Sequence, residues 1–220
     1  MKEQPRWVRL GLRLLNALGA RSGGLFTYGA VELMAARGDQ LRRLSRIPRA
    51  FSVRPAVPED EPSLGSFLDD AATTAQLVSS GDVGLLALAD GQVRAMEWVR
   101  LGPAEYDWDA SRLGLVFRVP PAYCWLHNGS GGDGSALGPW AMILGRLPAF
   151  LEEQGVEVAC LQVDCDNPYS VRCHESLGFR KVGRVVAFRF GDRRFVWLRA
   201  VGEKWARFRE SELDLERLPI

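Results

Sequence analysis

Residues 156–183, VEVACLQVDCDNPYSVRCHESLGFRKVG, carry the densest set of groups able to do chemistry. An apolar run of strand type, Val156–Asp164, stops just short of Asn167, and Asn167–Leu177 reads as a helix closed by Gly178. A side-chain amide at the end of a strand can reach a ligand wedged between diverging strands. His174 follows Asn167 by seven residues, about two helical turns, so the two fall on one face. A ring with a titratable proton there can protonate a leaving thiolate. Cys173 and His174 are adjacent and point apart on a helix, so they do not pair as a dyad. Cys160, Cys165 and Cys173 lack a zinc-ligand spacing, and no metal site is expected.

A second chemical segment is the small-residue run 129–138, GSGGDGSALG, which leads into an apolar helical stretch from Pro139 to Gln154. Small residues at a helix N-terminus free backbone N–H groups to hold a phosphate. Glu97, between Met96 and Trp98 on a strand, is a candidate base for stripping a proton from an ammonium. Tyr106, Asp107, Trp108 and Asp109 fall in a loop placed to cover an acceptor.

Several elements must position these groups. Strands are expected at Phe51–Arg54, Gly84–Ala89, Gln92–Arg100, Gly114–Val119, Tyr123–Asn128, Val156–Asp164, Arg180–Phe190 and Arg193–Ala200. Asp90-Gly91 supplies a hairpin turn, and Gly191-Asp192 another. Helices are expected over Glu61–Asp70, Pro139–Gln154 and Asn167–Leu177, with Pro148 interrupting the second. Before residue 51, Lys2, Arg6, Arg9 and Arg13 stack on one face of a helix over the first twenty residues. Leu25–Ala36 is either a strand or a short helix, Arg37–Arg49 a connector, and Glu203–Ile220 a short charged helix. The chain thus divides into a basic extension (1–50), a main domain (51–202) and a tail (203–220). The order β-α-β-β-β-β-α-β-α-β-β gives an α/β (α+β) layer fold with its site at the glycine-rich loop.

The strand, Asn167, Ser170, His174 and Gly178-Phe179 together resemble the C-terminal motif of the GCN5-related N-acetyltransferases, the GNAT superfamily. There a strand is followed by Asn-x-x-Ala/Ser and then Tyr-x-x-x-Gly-Phe. The likeness extends in element order from Phe51 to Ala200 and is tight over 156–183; Asp60 and the Asp90-Gly91 hairpin add weaker matches. It implies a mixed, mostly antiparallel sheet flanked by helices, with acetyl-CoA or another acyl-CoA as co-substrate. It also implies an N-acyltransferase acting on a primary amine of a small molecule or peptide. His174 takes the place of the tyrosine that serves as general acid toward coenzyme A, and Glu97 is the candidate base. Asn167 and Ser170 hold the donor, with His127 and Asn128 at the end of the strand entering the loop. The family's phosphate pattern, Gln/Arg-x-x-Gly-x-Gly/Ala, fits in two registers. One uses Gly132, Asp133 and Gly134. The preferred one uses Ala136, Leu137 and Gly138, with Asp133 in the Gln/Arg place and Ser135 between, because it leaves Pro139 in the first helical turn. Alternatives are a GNAT-type binding module without catalysis, and a transferase whose donor is an acyl-carrier protein.

Composition bounds the rest. The 220 residues are 47% hydrophobic and 25% charged, as in ordinary globular proteins. The net charge of +1 hides a split, with +7 on residues 1–50 and −6 on the remainder. No uncharged run approaches the roughly 18 apolar residues of a membrane span, and Arg9 and Arg13 interrupt any signal-peptide core. Four cysteines without a C-x-x-C pair suit a reducing, cytoplasmic setting. No nucleic-acid partner is expected; membrane contact by the first helix and a homodimer are further options.

Overall fold

A computed structural model describes residues 21, 26–42, 50–65, 67, 74–108, 115–131, 137–191, 193–208 and 212–220. The expected helix over the first twenty residues lies outside these. The strands are β1 (Phe26–Arg37), β2 (Phe51–Pro55), β3 (Asp82–Ala89), β4 (Gln92–Leu101), β5 (Ala104–Trp108), β6 (Leu115–Val119), β7 (Tyr123–Gly131) and β8 (Val158–Asp164). They continue with β9 (Arg180–Phe190), β10 (Arg193–Ala200), β11 (Ala206–Phe208) and β12 (Glu212–Asp214). The helices are α1 (Glu61–Leu64), α2 (Thr74–Ser79), α3 (Leu137–Glu153) and α4 (Pro168–Ser176).

Nine strands form one sheet in the order β11-β10-β9-β1-β8-β7-β4-β3-β2, and β12-β6-β5 form a smaller one. Every pairing in the large sheet is antiparallel except β7 with β8, which is parallel. The fold is therefore the mixed, mostly antiparallel α/β architecture expected. Along β3 and β4 the side chains alternate: Leu85, Ala87, Ala95 and Val99 pack with α3, while Leu86, Met96 and Trp98 pack with Leu64 and Leu77 of the other layer. On α3, Ile143, Leu144, Leu147 and Leu151 recur at helical spacing and are buried against that first face. Full burial of each such side chain stabilises the fold by about 1.5–3 kcal/mol. The small sheet covers the second face near β7, where Phe117 stacks on Trp125 with centroids 4.7 Å apart.

Three expectations need correction. Residues 26–37, assigned to the extension, form β1, which lies between β8 and β9. Val31–Ala36 is buried on both faces, Glu32 included, so its residues show no alternation to separate strand from helix. The sheet therefore crosses the boundary expected at residue 50. Residues 104–108, read as loop, form β5: Ala104 and Tyr106 pack inward while Glu105 and Asp107 alternate with them. The tail, read as a helix, supplies β11 and β12, with Leu213 and Leu215 buried under the small sheet. In addition, Pro148 lies inside α3, which continues through it.

Gly178 ends α4 with φ +107°, and a Cβ there would collide with the Gln40 carbonyl oxygen. The adjacent Leu177 carbonyl accepts from the Arg42 N–H at 3.0 Å, so this glycine seats α4 on the chain leaving β1. Gly155 also has positive φ (+68°) but has open space around it. Gly155→Ala is expected to cost about 1 kcal/mol and Gly178→Ala about 3 kcal/mol, read from midpoints of urea unfolding; equal costs would show that the contact with Gln40 is dispensable.

Candidate active site

β7 and β8 pair in parallel from Tyr123/Val158 to Leu126/Leu161 and then part. On its other side β7 stays paired with β4, but with a shift: Met96 opposes Ser130 while Trp98 opposes His127. β7 thus carries one extra residue there, a bulge whose exposed Asn128 has φ +53°. Residues 127–131 keep β4 as a neighbour and lose β8. The opening between the strands leaves backbone groups of β7 facing a gap, with α3 following from β7 and α4 from β8.

The helix face of this opening holds a cluster. Asn167 accepts a hydrogen bond from the Ser170 N–H at 3.0 Å and so caps α4. The Ser170 carbonyl accepts from His174 Nδ1 at 2.8 Å. That carbonyl can only accept, so Nδ1 carries the ring's proton and Nε2 is unprotonated. The His174 ring meets Trp140 of α3 edge-on at 4.8 Å and Phe179 at 5.5 Å. Trp140 Nε1 donates to Glu97 Oε2 at 2.7 Å. Gly129 sits over both: a Cβ there would collide with the Glu97 carboxylate and come within 3.0 Å of Trp140 Nε1.

Electrostatics revise the expected roles. Burial lowers the His174 pKa to about 4, against the hydrogen bond to Ser170, which raises it. At neutral pH the ring is uncharged with its one proton committed, so it has none to give a thiolate. Burial raises the Glu97 carboxyl to about 8, the Trp140 hydrogen bond opposing. At neutral pH the Glu97 carboxyl is therefore mostly protonated and poised to give a proton.

The opposite face carries a second cluster that sequence reasoning missed. Asp82 of β3 accepts two hydrogen bonds from Arg100, 2.6 Å from Nε and 2.8 Å from an Nη. His127 Nε2 lies 3.3 Å from Asp82 Oδ2, the oxygen that also accepts from that Nη. Burial alone would raise the Asp82 carboxyl, but the bonds from His127 and Arg100 outweigh it and hold the pKa below the ordinary value. Tyr106 covers His127 at 5.1 Å between ring centroids. The one available signal was a buried-type strand, Tyr123–Asn128, interrupted by a histidine. His127, expected with the donor-binding residues, thus turns its side chain away from α3 and α4.

Of the remaining expected site residues, Asp133, Gly134, Ser135 and Ala136 lie outside the described residues. Leu137 and Gly138 begin α3, and Gly138 is exposed with open space where a Cβ would stand. Pro139 falls in the first turn, as the preferred loop register requires. Cys124, Cys160 and Cys165 are buried free thiols, and Cys173 is partly buried and free.

The His174 environment has a measurable consequence. As pH falls below 6.5 the unfolded chain takes up a proton that the folded ring refuses until about pH 4. Folding stability should therefore drop across that window by up to about 3 kcal/mol and then level. His174→Phe should remove this part of the slope in urea unfolding series; an unchanged slope would mean that His174 titrates normally.

No protein-family model matches the sequence, and no curated protein matches it. Among solved structures, a GNAT-family protein from Novosphingobium aromaticivorans aligns over 75% of this chain and 66% of its own, with TM-score 0.54 and 17% identity. A GNAT-family acetyltransferase from Colwellia psychrerythraea aligns over 74% of this chain and 57% of its own, with TM-score 0.52 and 17% identity. A GCN5-related N-acetyltransferase from Sphaerobacter thermophilus aligns over 93% of this chain and 58% of its own, with TM-score 0.50 and 16% identity. The chain thus spans less than two thirds of the length of these structures. The likeness to these structures is one of fold: the chain has a GNAT-type fold.

Proposed function

We propose that the protein is an N-acyltransferase that moves an acetyl or other short acyl group from coenzyme A to a primary amine of a small molecule or peptide. The observation that carries this reading is the parting of β7 and β8 beyond Leu126/Leu161. An extended pantetheine arm can replace the missing strand and bond to the β7 backbone, as an added strand does. Its thioester carbonyl then meets an N–H of residues 128–131. The pyrophosphate lies at the start of α3, where Pro139 lacks an N–H and the free donors come from its neighbours.

Acyl transfer needs a proton for the leaving sulfur. Glu97 holds one beside Trp140 and under Gly129, and in a buried site such a group is a general acid at neutral pH. His174 packs Trp140 in place and offers an unprotonated Nε2 to a donor on the ligand. Asn167 and Ser170 shape this wall through the α4 cap.

Titration of acetyl-CoA into the protein is expected to show one site per chain, and a panel of primary amines is expected to release free thiol. Binding without thiol release would leave a CoA-binding module and contradict catalysis. Absence of binding at millimolar concentration would contradict the reading altogether.

A further inference from the structure

On the face of the sheet away from α3 and α4, the row of side chains at the opening has unpaired buried polar atoms. Among the described residues, His127 Nδ1, Trp98 Nε1 and Gln162 Oε1 are buried without a hydrogen-bond partner, and His127 Nε2 has only the 3.3 Å approach of Asp82. Buried polar groups are nearly always paired, and an exception calls for an explanation. Trp98 is the cross-strand partner of His127. Gln162 is one residue past the last β7–β8 pair and faces the same side as Leu33, its partner on β1. His127 and Gln162 therefore border the gap proposed for the donor, from its far side, with Trp98 one strand behind His127.

We propose that this row is the acceptor-amine site and that His127, positioned by Asp82, is the base of the reaction. The inference rests on the acyltransferase reading above. Asp82 is fully buried and lies against His127 Nε2 at 3.3 Å. A carboxylate there selects the tautomer with the proton on Nε2 and leaves the Nδ1 lone pair free, the arrangement by which an acid orients a histidine base. Arg100 fixes the carboxylate through both of its oxygens, so the pair is already oriented before substrate arrives. The lining suits an ammonium group. Nδ1 and Gln162 Oε1 are acceptors, and Tyr106 and Trp125 present rings 5.3 Å apart beside them.

The step balances without a further reactant. His127 Nδ1 takes one proton from the ammonium, and the freed nitrogen lone pair attacks the thioester carbonyl carbon. The C–N bond forms, the C–S bond breaks, and the bonding pair leaves on sulfur. Sulfur takes the proton of Glu97, and the second proton lost by the nitrogen restores Glu97 or passes to solvent. The products are the amide, free thiol and one proton on His127, which solvent removes. Acid and base thus stand on opposite faces of the sheet and meet only through the gap. Among the described residues, the charged and titratable groups facing His127 are Asp82 on β3, Arg100 on β4 and Tyr106 on β5.

The chain contains two histidines, so nitrogen-15 histidine spectra of the full-length protein read each ring directly, with His127→Gln assigning the signals. The expected result is a His127 ring protonated on Nε2, whose Nδ1 signal moves when ethylamine or benzylamine is added with coenzyme A present. His174 should show the opposite tautomer. In thiol-release assays His127→Gln should bind acetyl-CoA like wild type and lose roughly 10²–10⁴-fold in kcat. Asp82→Asn should shift the His127 tautomer and lower kcat with little change in acetyl-CoA affinity. A His127 ring protonated on Nδ1, or a His127→Gln protein keeping its turnover, would overturn the assignment while leaving the acyltransferase reading intact. Failure of wild type to bind acetyl-CoA would instead remove the reading on which it rests.

Discussion

The parallel contact between β7 and β8, and where it stops, is the constraint on which the rest of this structure depends. Two strands that pair for four residues and then diverge leave one edge of each without a partner inside the sheet. Such edges are satisfied by water or by a ligand, because backbone polar groups are costly to leave unpaired. The bulge at Asn128 fixes where the divergence begins, since the extra residue turns β7 while β4 holds it on the other side. α3 and α4 then start from the two diverging strand ends, which brings helix N-termini and their side chains to one opening.

The opening also separates chemistry by face. On the helix side, Glu97 is buried with a single donor, Trp140, and its carboxyl is driven toward the neutral form. On the other side, Asp82 is buried with a guanidinium and an imidazole, and its carboxyl is driven toward the ionised form. Two carboxyl groups of similar intrinsic acidity are pushed apart by what each faces. That contrast gives the proposed acid and base their places, and a bulged strand one residue thick lies between them.

Much of the helix-side cluster was legible in the sequence because its contacts are local. Asn167, Ser170 and His174 lie three and four residues apart, so helical spacing alone brings them together, and Gly178-Phe179 closes the same helix. Their roles were less legible. Asn167 caps the helix and His174 donates its Nδ1–H to a carbonyl, facts set by burial and orientation rather than by spacing. The pairing of Asp82 with His127 had no local signal, since 45 positions separate them and only the β3-β4-β7 order makes them neighbours. β1 was ambiguous for the related reason that burial on both faces erases the alternation that marks a strand. β5 did carry a signal, the Ala104-Glu105-Tyr106-Asp107 alternation, masked by the loop-like residues Gly102 and Pro103 before it. The charge split between residues 1–50 and the remainder suggested an added element, yet β1 places part of that segment at the centre of the sheet.

The gap between β7 and β8 is the proposed seat of coenzyme A. Hydrogen–deuterium exchange with and without acetyl-CoA tests it most directly. Amides of residues 128–131 and of the first turn of α3 should exchange slowly only when acetyl-CoA is present, with the β9–β10 hairpin unaffected. Protection appearing elsewhere, with residues 128–131 exchanging as in the free protein, would contradict it.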